Sequence, residues 1–383
     1  MISEEDYTEL VSIRRHLHQL AELSGEEFET SRFIADYLEK HAAGYLTQLS
    51  ETGILWTIDS GNEGLKVLLR AELDALPIAE VNTFDHKSRT PGVSHKCGHD
   101  GHMVILIGVI LSLSRNPPGH GVYQFLFQPA EETGVGAKQI LESEEFKIQP
   151  DYVFALHNLP GFQDSAVVYK SGTFNAAVTS LEIKLIGKTA HAAEPENGIN
   201  PAMAISEILR GVNKLIVTST SQSNFGLITP VHVKMGEKSY GVSAGEGEIH
   251  FTLRAWTNEQ LEKLKAQVVD LVTLTANDHQ LQSSFIWKES FAASTNDEGA
   301  TAIVERSAND LGLMKMRKQH PFKWGEDFGL FTKKFKGAIF GLGAGENTPA
   351  LHNPDYDFPD QLLRTGVSMF LRIIEEVNIR RRD

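Results

Sequence analysis

The 383-residue chain has a single cysteine, Cys97. No intrachain disulfide is possible, so the fold does not depend on an oxidising compartment. Basic residues are also scarce, with 36 Lys and Arg against 50 Asp and Glu, a formal net charge of −14. The only basic block, Arg380-Arg381-Arg382, reads as a solvated terminus, and the average field repels polyanions, so nucleic acid is not an expected partner. Long apolar runs are missing as well. The longest, Met103 to Leu113, is about half of the ~20 residues a membrane span needs. The opening residues Met1-Ile2-Ser3-Glu4-Glu5-Asp6 are acidic and lack the basic-then-apolar pattern of a signal peptide. The expectation is a cytoplasmic protein without a membrane partner. What remains is ordinary globular composition, 41% apolar and 22% charged, in a chain long enough for two domains or one domain with an insertion.

Periodicity divides the chain into two styles. Leu10, Ile13, Leu17 and Leu20 predict a helix over Tyr7 to Leu20, and Phe28, Ile34 and Leu38 another over Glu26 to Lys40. Gly53 to Asp59 and Leu65 to Ala71 read as strands, the second apolar enough to be buried on both faces. Met103 to Ser114 reads as a buried helix, with strands at Gly121 to Phe127 and Tyr152 to Leu156. From 176 to 288 the order becomes strand (Thr179 to Ile186), helix (Asn200 to Val217), two strands (Leu227 to Val233, Glu248 to Ala255), helix (Asn258 to Ala276) and strand (Ser283 to Trp287). That β-α-β-β-α-β order predicts a ferredoxin-like unit able to fold by itself. Helix Thr301 to Leu311, strand Ala338 to Leu342 and helix Gln361 to Val377 resume the first style. The expected fold is a discontinuous mixed-sheet α/β domain formed by 1–175 and 289–383, with a smaller domain, 176–288, inserted.

The densest chemistry lies in His95-Lys96-Cys97-Gly98-His99-Asp100-Gly101-His102. Thiolate and imidazole donors suit Zn, Mn, Co or Ni better than Mg or Ca, and glycines let adjacent side chains converge. Two other readings stand beside metal binding: a polar loop capping the next helix with Asp100 as N-cap, or a Cys97 nucleophile with His99 as base. A second cluster, Gln128-Pro129-Ala130-Glu131-Glu132, follows a strand, where α/β proteins bind ligands. One of its adjacent carboxylates can hold metal while the other remains free as a base. Lone histidines His157, closing an apolar strand, and His352 in Leu351-His352-Asn353-Pro354 complete a set of five: Cys97, His99, Glu132, His157 and His352. Five donors are enough for two divalent ions with positions open to water.

Taken together, these residues resemble the M20 metallopeptidase family, in its aminoacylase-, hippurate-hydrolase- and auxin-conjugate-hydrolase-like amidohydrolase branch. The resemblance runs nearly the full length, through Arg15-His16-Leu17-His18, Glu22-Leu23-Ser24-Gly25-Glu26-Glu27 and Leu69-Arg70-Ala71-Glu72-Leu73-Asp74-Ala75-Leu76-Pro77. It continues through the two clusters above, Gly187-Lys188-Thr189-Ala190-His191-Ala192-Ala193, Glu326-Asp327-Phe328 and Leu351-His352-Asn353-Pro354. It implies that Cys97, as the bridging ligand, with His99, Glu132, His157 and His352 binds two divalent metals. It further implies that Glu131 is the general base, passing a proton from the bridging water to the leaving amine. His191, on the inserted segment, resembles a histidine that stabilises the oxyanion, often from a partner subunit. The substrate implied is a small N-acylated amino acid or related amide, and the implied assembly is a homodimer through the inserted lid and dimerisation domain. Alternatives are a dipeptidase or aminopeptidase of the same superfamily and a catalytically idle metal-binding protein, against which the intact Glu131 argues. The sequence departs from the family at Gly241-Val242-Ser243-Ala244, where relatives have an Asn-Val-Ile-Pro-like stretch whose Asn contacts substrate, and at Ala21, where they have Pro.

Overall fold

A computed structural model describes residues 2–379. Arg380, Arg381 and Arg382 lie outside the described residues. The chain divides into two compact units, one of 1–174, 294–319 and 326–383, the other of 175–293 and 320–325.

In chain order the first unit opens with α1 (Glu4–Gln19), α2 (Phe28–His41), β1 (Tyr45–Gln48), β2 (Ile54–Asp59) and β3 (Lys66–Glu72). It continues with α3 (His99–Arg115), β4 (Val122–Gln128), α4 (Gly136–Glu142), β5 (Tyr152–Leu159), β6 (Val167–Tyr169) and β7 (Gly172–Asn175). The second unit holds β8 (Ala177–Ile186), β9 (Ala190–His191), α5 (Ala202–Val212), β10 (Gly226–Met235), β11 (Val242–Ser243), β12 (Glu246–Ala255), α6 (Asn258–Asp278) and β13 (Gln282–Phe291). The chain then adds β14 (Ser294–Asn296), α7 (Glu298–Asp310), β15 (Lys315–Arg317), α8 (Gly329–Lys334), β16 (Gly337–Gly343) and α9 (Leu362–Ile379).

The first unit is built on a mixed sheet in the order β1-β2-β4-β3-β5-β16-β6-β15. Its centre, β4-β3-β5-β16, is parallel, and the antiparallel pairs lie toward its margins. Buried central strands explain the near-continuous apolar runs Val67 to Leu69 and Val153 to Leu156. Ser3 caps α1 by accepting from the Asp6 amide while Asp6 returns the bond, a capping box. Buried α3 packs between α1 and α9, and Gly108 permits the approach, since a Cβ there would meet Val367 and Leu10 at 2.7 and 2.9 Å.

The second unit is a four-stranded antiparallel sheet ordered β10-β12-β8-β13. Along β12 the residues Gly247, Ile249, Phe251, Leu253 and Ala255 are buried while those between them are partly exposed. Helices α5 and α6 supply the matching apolar stripes, Ala204, Ile205, Ile208 and Val212 from one and Leu261, Leu264, Val268 and Val272 from the other. Thr257 caps α6 by accepting from the Gln260 amide.

Three expectations are corrected. The buried helix begins at His99 rather than Met103, and its N-cap is Gly98, with Asp100 inside the first turn. Apolar periodicity marks only the part of a helix that faces a core, and the polar first turn here faces the functional site. Strand β5 runs through His157 to Leu159 instead of closing at Leu156. The helix expected to reach Val217 ends at Val212 and tightens into a 3₁₀ turn over Asn213–Leu215.

Candidate metal centre

The parallel strands β3, β4, β5 and β16 deliver their C-terminal ends to one region of the first unit, where open α/β sheets bind ligands. Strand β3 ends at Glu72, two residues before Asp74; β4 leads into Glu131 and Glu132; β5 carries His157. Gly98 has a φ of +94° and turns the chain into α3 so that Cys97 and His99 converge; a Cβ there would meet the Asn158 side chain at 2.7 Å. Ala130, at φ +52°, turns the two carboxylates inward, with its amide held by buried Glu27 at 2.8 Å.

Five of the expected residues form two groups of potential ligand atoms: Cys97, His99 and His157, and Cys97, Glu132 and His352. Cys97 belongs to both. Its Sγ lies 3.5 Å from His157 Nε2, and Glu132 Oε1 lies 3.9 Å from His99 Nε2 and 3.7 Å from His352 Nε2. Glu131 joins His99 and Glu132 in a further group. His191 lies in the second unit, exposed, on β9 paired with β11. Its Nδ1 accepts from the Ala193 amide at 3.1 Å, which places the neutral-ring proton on Nε2.

The donors are aimed by a shell of partners. His99 Nδ1 donates to the Asp74 carbonyl at 2.8 Å, and His157 Nδ1 to the Asn158 carbonyl at 2.9 Å, so each turns Nε2 into the site. Asp74 also accepts from Ser24 Oγ at 2.7 Å and from the Glu132 amide at 2.9 Å, binding both clusters to the loop after α1. His102 bridges Glu72 at 2.7 Å and Asn158 at 2.6 Å. Fully buried Arg70 pairs with Glu72, Glu326 at 2.9 Å and Asp327 at 2.6 Å, and Asp327 accepts from Gln128 and the Ala137 amide. Sequence reasoning assigned no roles to Glu72, Asp74, His102, Asn158, Arg70 or Asp327, although five of the six fall in the motifs quoted above.

The electrostatics fit a cation. His99 Nε2 and Glu132 Oε1 are buried without a hydrogen-bond partner among the described residues. Burial, then the nearby Glu326, Glu132, Asp327 and Asp74 carboxylates, pushes Glu131 well above the usual carboxylate range. Burial, then the Glu132, Glu131 and Glu72 carboxylates, likewise pushes the Cys97 thiol well up, the reverse of what a thiol nucleophile needs. Burial lowers His157 to about 3, leaving a neutral imidazole. Burial also opposes charge on His99, but Asp74, Glu72 and Glu132 outweigh it and raise that histidine to about 10. Soft donors of this kind, crowded with carboxylates, match ions of the Zn, Mn, Co and Ni group.

The chain is similar to known proteins over most of its length. The model of Peptidase family M20/M25/M40 matches residues 68–376. The chain belongs to this family and is a hydrolytic enzyme. It is 30% identical to the N-acetyldiaminopimelate deacetylase of Lactobacillus helveticus over 94% of this chain and 95% of that protein. It is 32% identical to the N-acetyl-L-cysteine deacetylase of Bacillus subtilis over 95% of this chain and 86% of that one. Among solved structures, the YXEP protein of Bacillus subtilis, a dinuclear metal binding peptidase from the M20 family, superposes with a TM-score of 0.83 at 26% identity, covering 98% of this chain and 99% of that one. Among the described residues no helix is long and apolar enough to cross a membrane.

Proposed function

We propose that the chain hydrolyses the amide bond of a small N-acylated amino acid, with an N-acetyl group as the first candidate, using two divalent ions and Glu131 as general base. The observation that carries this reading is the pair of donor groups sharing Cys97, with the Glu131 carboxylate beside them. The deacetylase relatives support the substrate class, and the dinuclear neighbour supports two ions.

When bound, the ions polarise the amide carbonyl and lower the pKa of the attacking water. Cys97, His99, His157, Glu132 and His352 would hold them, with His99 and Glu132 oriented by Asp74 and His157 by the Asn158 carbonyl. Glu131 takes the proton of the attacking water and returns it to the departing amine nitrogen, so the bond breaks with a neutral leaving group. His191 Nε2–H is the donor for the negative charge that develops on the carbonyl oxygen.

We assign catalysis to the discontinuous domain 1–175 and 289–383, and read 176–288 as a ferredoxin-like lid and dimerisation domain. Its β-α-β-β-α-β order and β10-β12-β8-β13 sheet support the fold reading. Edge strand β10 exposes Val231, Val233 and Met235, an unprotected edge that a second copy would cover. Cytoplasmic location accords with a fold free of disulfides.

The test is a panel of N-acetylated amino acids, including N-acetyldiaminopimelate and N-acetylcysteine, against dipeptides, with Zn, Mn and Co each restored to chelated enzyme. Turnover of the acetylated compounds is expected. Turnover confined to dipeptides would move the chain to the peptidase branch.

A further inference from the structure

Lys96 stands between His95 and Cys97 and is completely buried. Its ammonium has three donors, and the fold supplies three acceptors: Glu80 Oε1 at 2.6 Å, Asn82 Oδ1 at 2.9 Å and the Tyr356 carbonyl at 2.7 Å. Taking a lysine fully out of water is costly unless it is paired in this way, so the arrangement is not surface decoration. The backbone of the same residue continues the contact. The Lys96 carbonyl accepts from the His352 amide at 2.8 Å. Beside it, the Val81 amide donates to the Pro354 carbonyl at 3.1 Å and Asn82 Nδ2 to the Asp355 carbonyl at 2.9 Å. Three residues thus hold the loop backbone at His352, Pro354, Asp355 and Tyr356. His352 has a φ of +65°, a left-handed conformation that a residue with a Cβ keeps only when its surroundings hold it there. Its own side chain is half-exposed.

We propose that Lys96 is a positioning residue for one half of the metal centre. It anchors the 352–356 loop and so sets His352 against Glu132. The inference rests on the two-metal reading above. It is specific to the Cys97–Glu132–His352 group, because the Cys97–His99–His157 group is aimed by other bonds, from Asp74 to His99 and from the Asn158 carbonyl to His157.

The experiment is Zn2+ retention by the full-length, Zn2+-loaded enzyme dialysed against a graded chelator, read by metal analysis. Wild type should hold two equivalents. Lys96→Met should keep one with nearly unchanged affinity and bind the other at least ~10-fold more weakly, the range expected when a ligand's support is removed. His352→Ala should give the same pattern, and the double variant should be no weaker than His352→Ala alone, since Lys96 acts through that histidine. A merely structural role would instead weaken both equivalents and add to the His352→Ala loss, which would overturn the proposal. Asn82→Ala removes one bond to the loop from a partly exposed position and keeps the question open to measurement if Lys96→Met does not fold. It should weaken the same single equivalent, and unchanged retention in it or in Lys96→Met refutes the clamp. Wild type retaining fewer than two equivalents would sink the two-metal reading itself, a result visible before any variant is made.

Discussion

Glu131 and Glu132 are adjacent in the chain, yet their surroundings assign them different work. The Glu132 amide is tied to Asp74, and its carboxylate faces His99 and His352, the position of a ligand. Glu131 is buried against Glu326 and Asp327. Replacing it with Gln keeps shape and ligands and removes the proton acceptor, so turnover should fall ~100- to 10,000-fold with metal content intact. Activity close to wild type would end the base assignment. Cys97→Ala tests the shared donor: it should lose at least one equivalent of metal, and turnover with it. Normal turnover with full metal content would show that the thiol is only packing. Among the candidate donors, Cys97, His99 and Glu132 stood out in the sequence because Cys, His and Glu crowd into two short clusters, while His157 and His352 stood alone and gained weight only by completing that set. Their supports were not, because they come from far away. Asp327 lies 257 residues from Arg70, and Asp74 lies 25 residues from His99. No spacing rule links such pairs, and only their place in recognised motifs marked them.

At the scale of elements, the long periodic helices and the buried strands were readable, and the short or site-facing pieces were not. Three-residue β6 and β15 and the short helices α4 and α8 show no period, and the sheet margin that β6 and β15 build went unseen. The first turn of α3 was missed for a different reason: His99, Asp100 and His102 are polar and yet buried. His99 is held by Asp74, His102 by Glu72 and Asn158, and Asp100 by a charged contact between α1 and α3. His18 on α1 bonds Asp100 at 2.8 Å through Nδ1 and Glu80 at 3.0 Å through Nε2, and Arg14, one turn earlier, pairs with Asp100, Asp357 and Asp360. Burial opposes charge on His18, but Asp100 and Glu80 outweigh it and raise the pKa to about 9. Because that folded value exceeds the unfolded one, near 6.5, the charged contact stabilises fully below about pH 6.5 and is lost as pH rises through about 9. The contribution is up to ~3 kcal/mol. Urea unfolding of wild type and His18→Asn should therefore show a gap that narrows from about pH 6 to about pH 9.5. A gap that stays constant or widens contradicts a charged His18.

Over the whole molecule, the change of pattern near residue 176 was the visible mark of a second unit, because a half-buried sheet alternates where a doubly covered one does not. The return of 320–325 to that unit had no such mark, since six loop residues carry no period. His191 belongs to this larger scale. It sits on a two-residue strand held by β11, with Ala192 bonded to the Gly241 carbonyl, and it lies exposed with Nε2 as a donor. A Cβ at Gly241 would meet nothing within 4 Å, so the missing side chain leaves space beside that strand. If the second unit pairs with its copy along the β10 edge and His191 serves the partner's site, Glu131→Gln and His191→Ala are defects on different subunits of one composite site. Mixed in equal amounts and allowed to exchange, half of the dimers are hybrids. Each hybrid has one site with both defects and one with neither, so about a quarter of all sites should recover. Recovery should follow subunit exchange in time and be absent on immediate assay. Sedimentation should show a dimer throughout. A stable, fully active monomer, or no recovery after proven exchange, would leave His191 acting within its own chain or not at all.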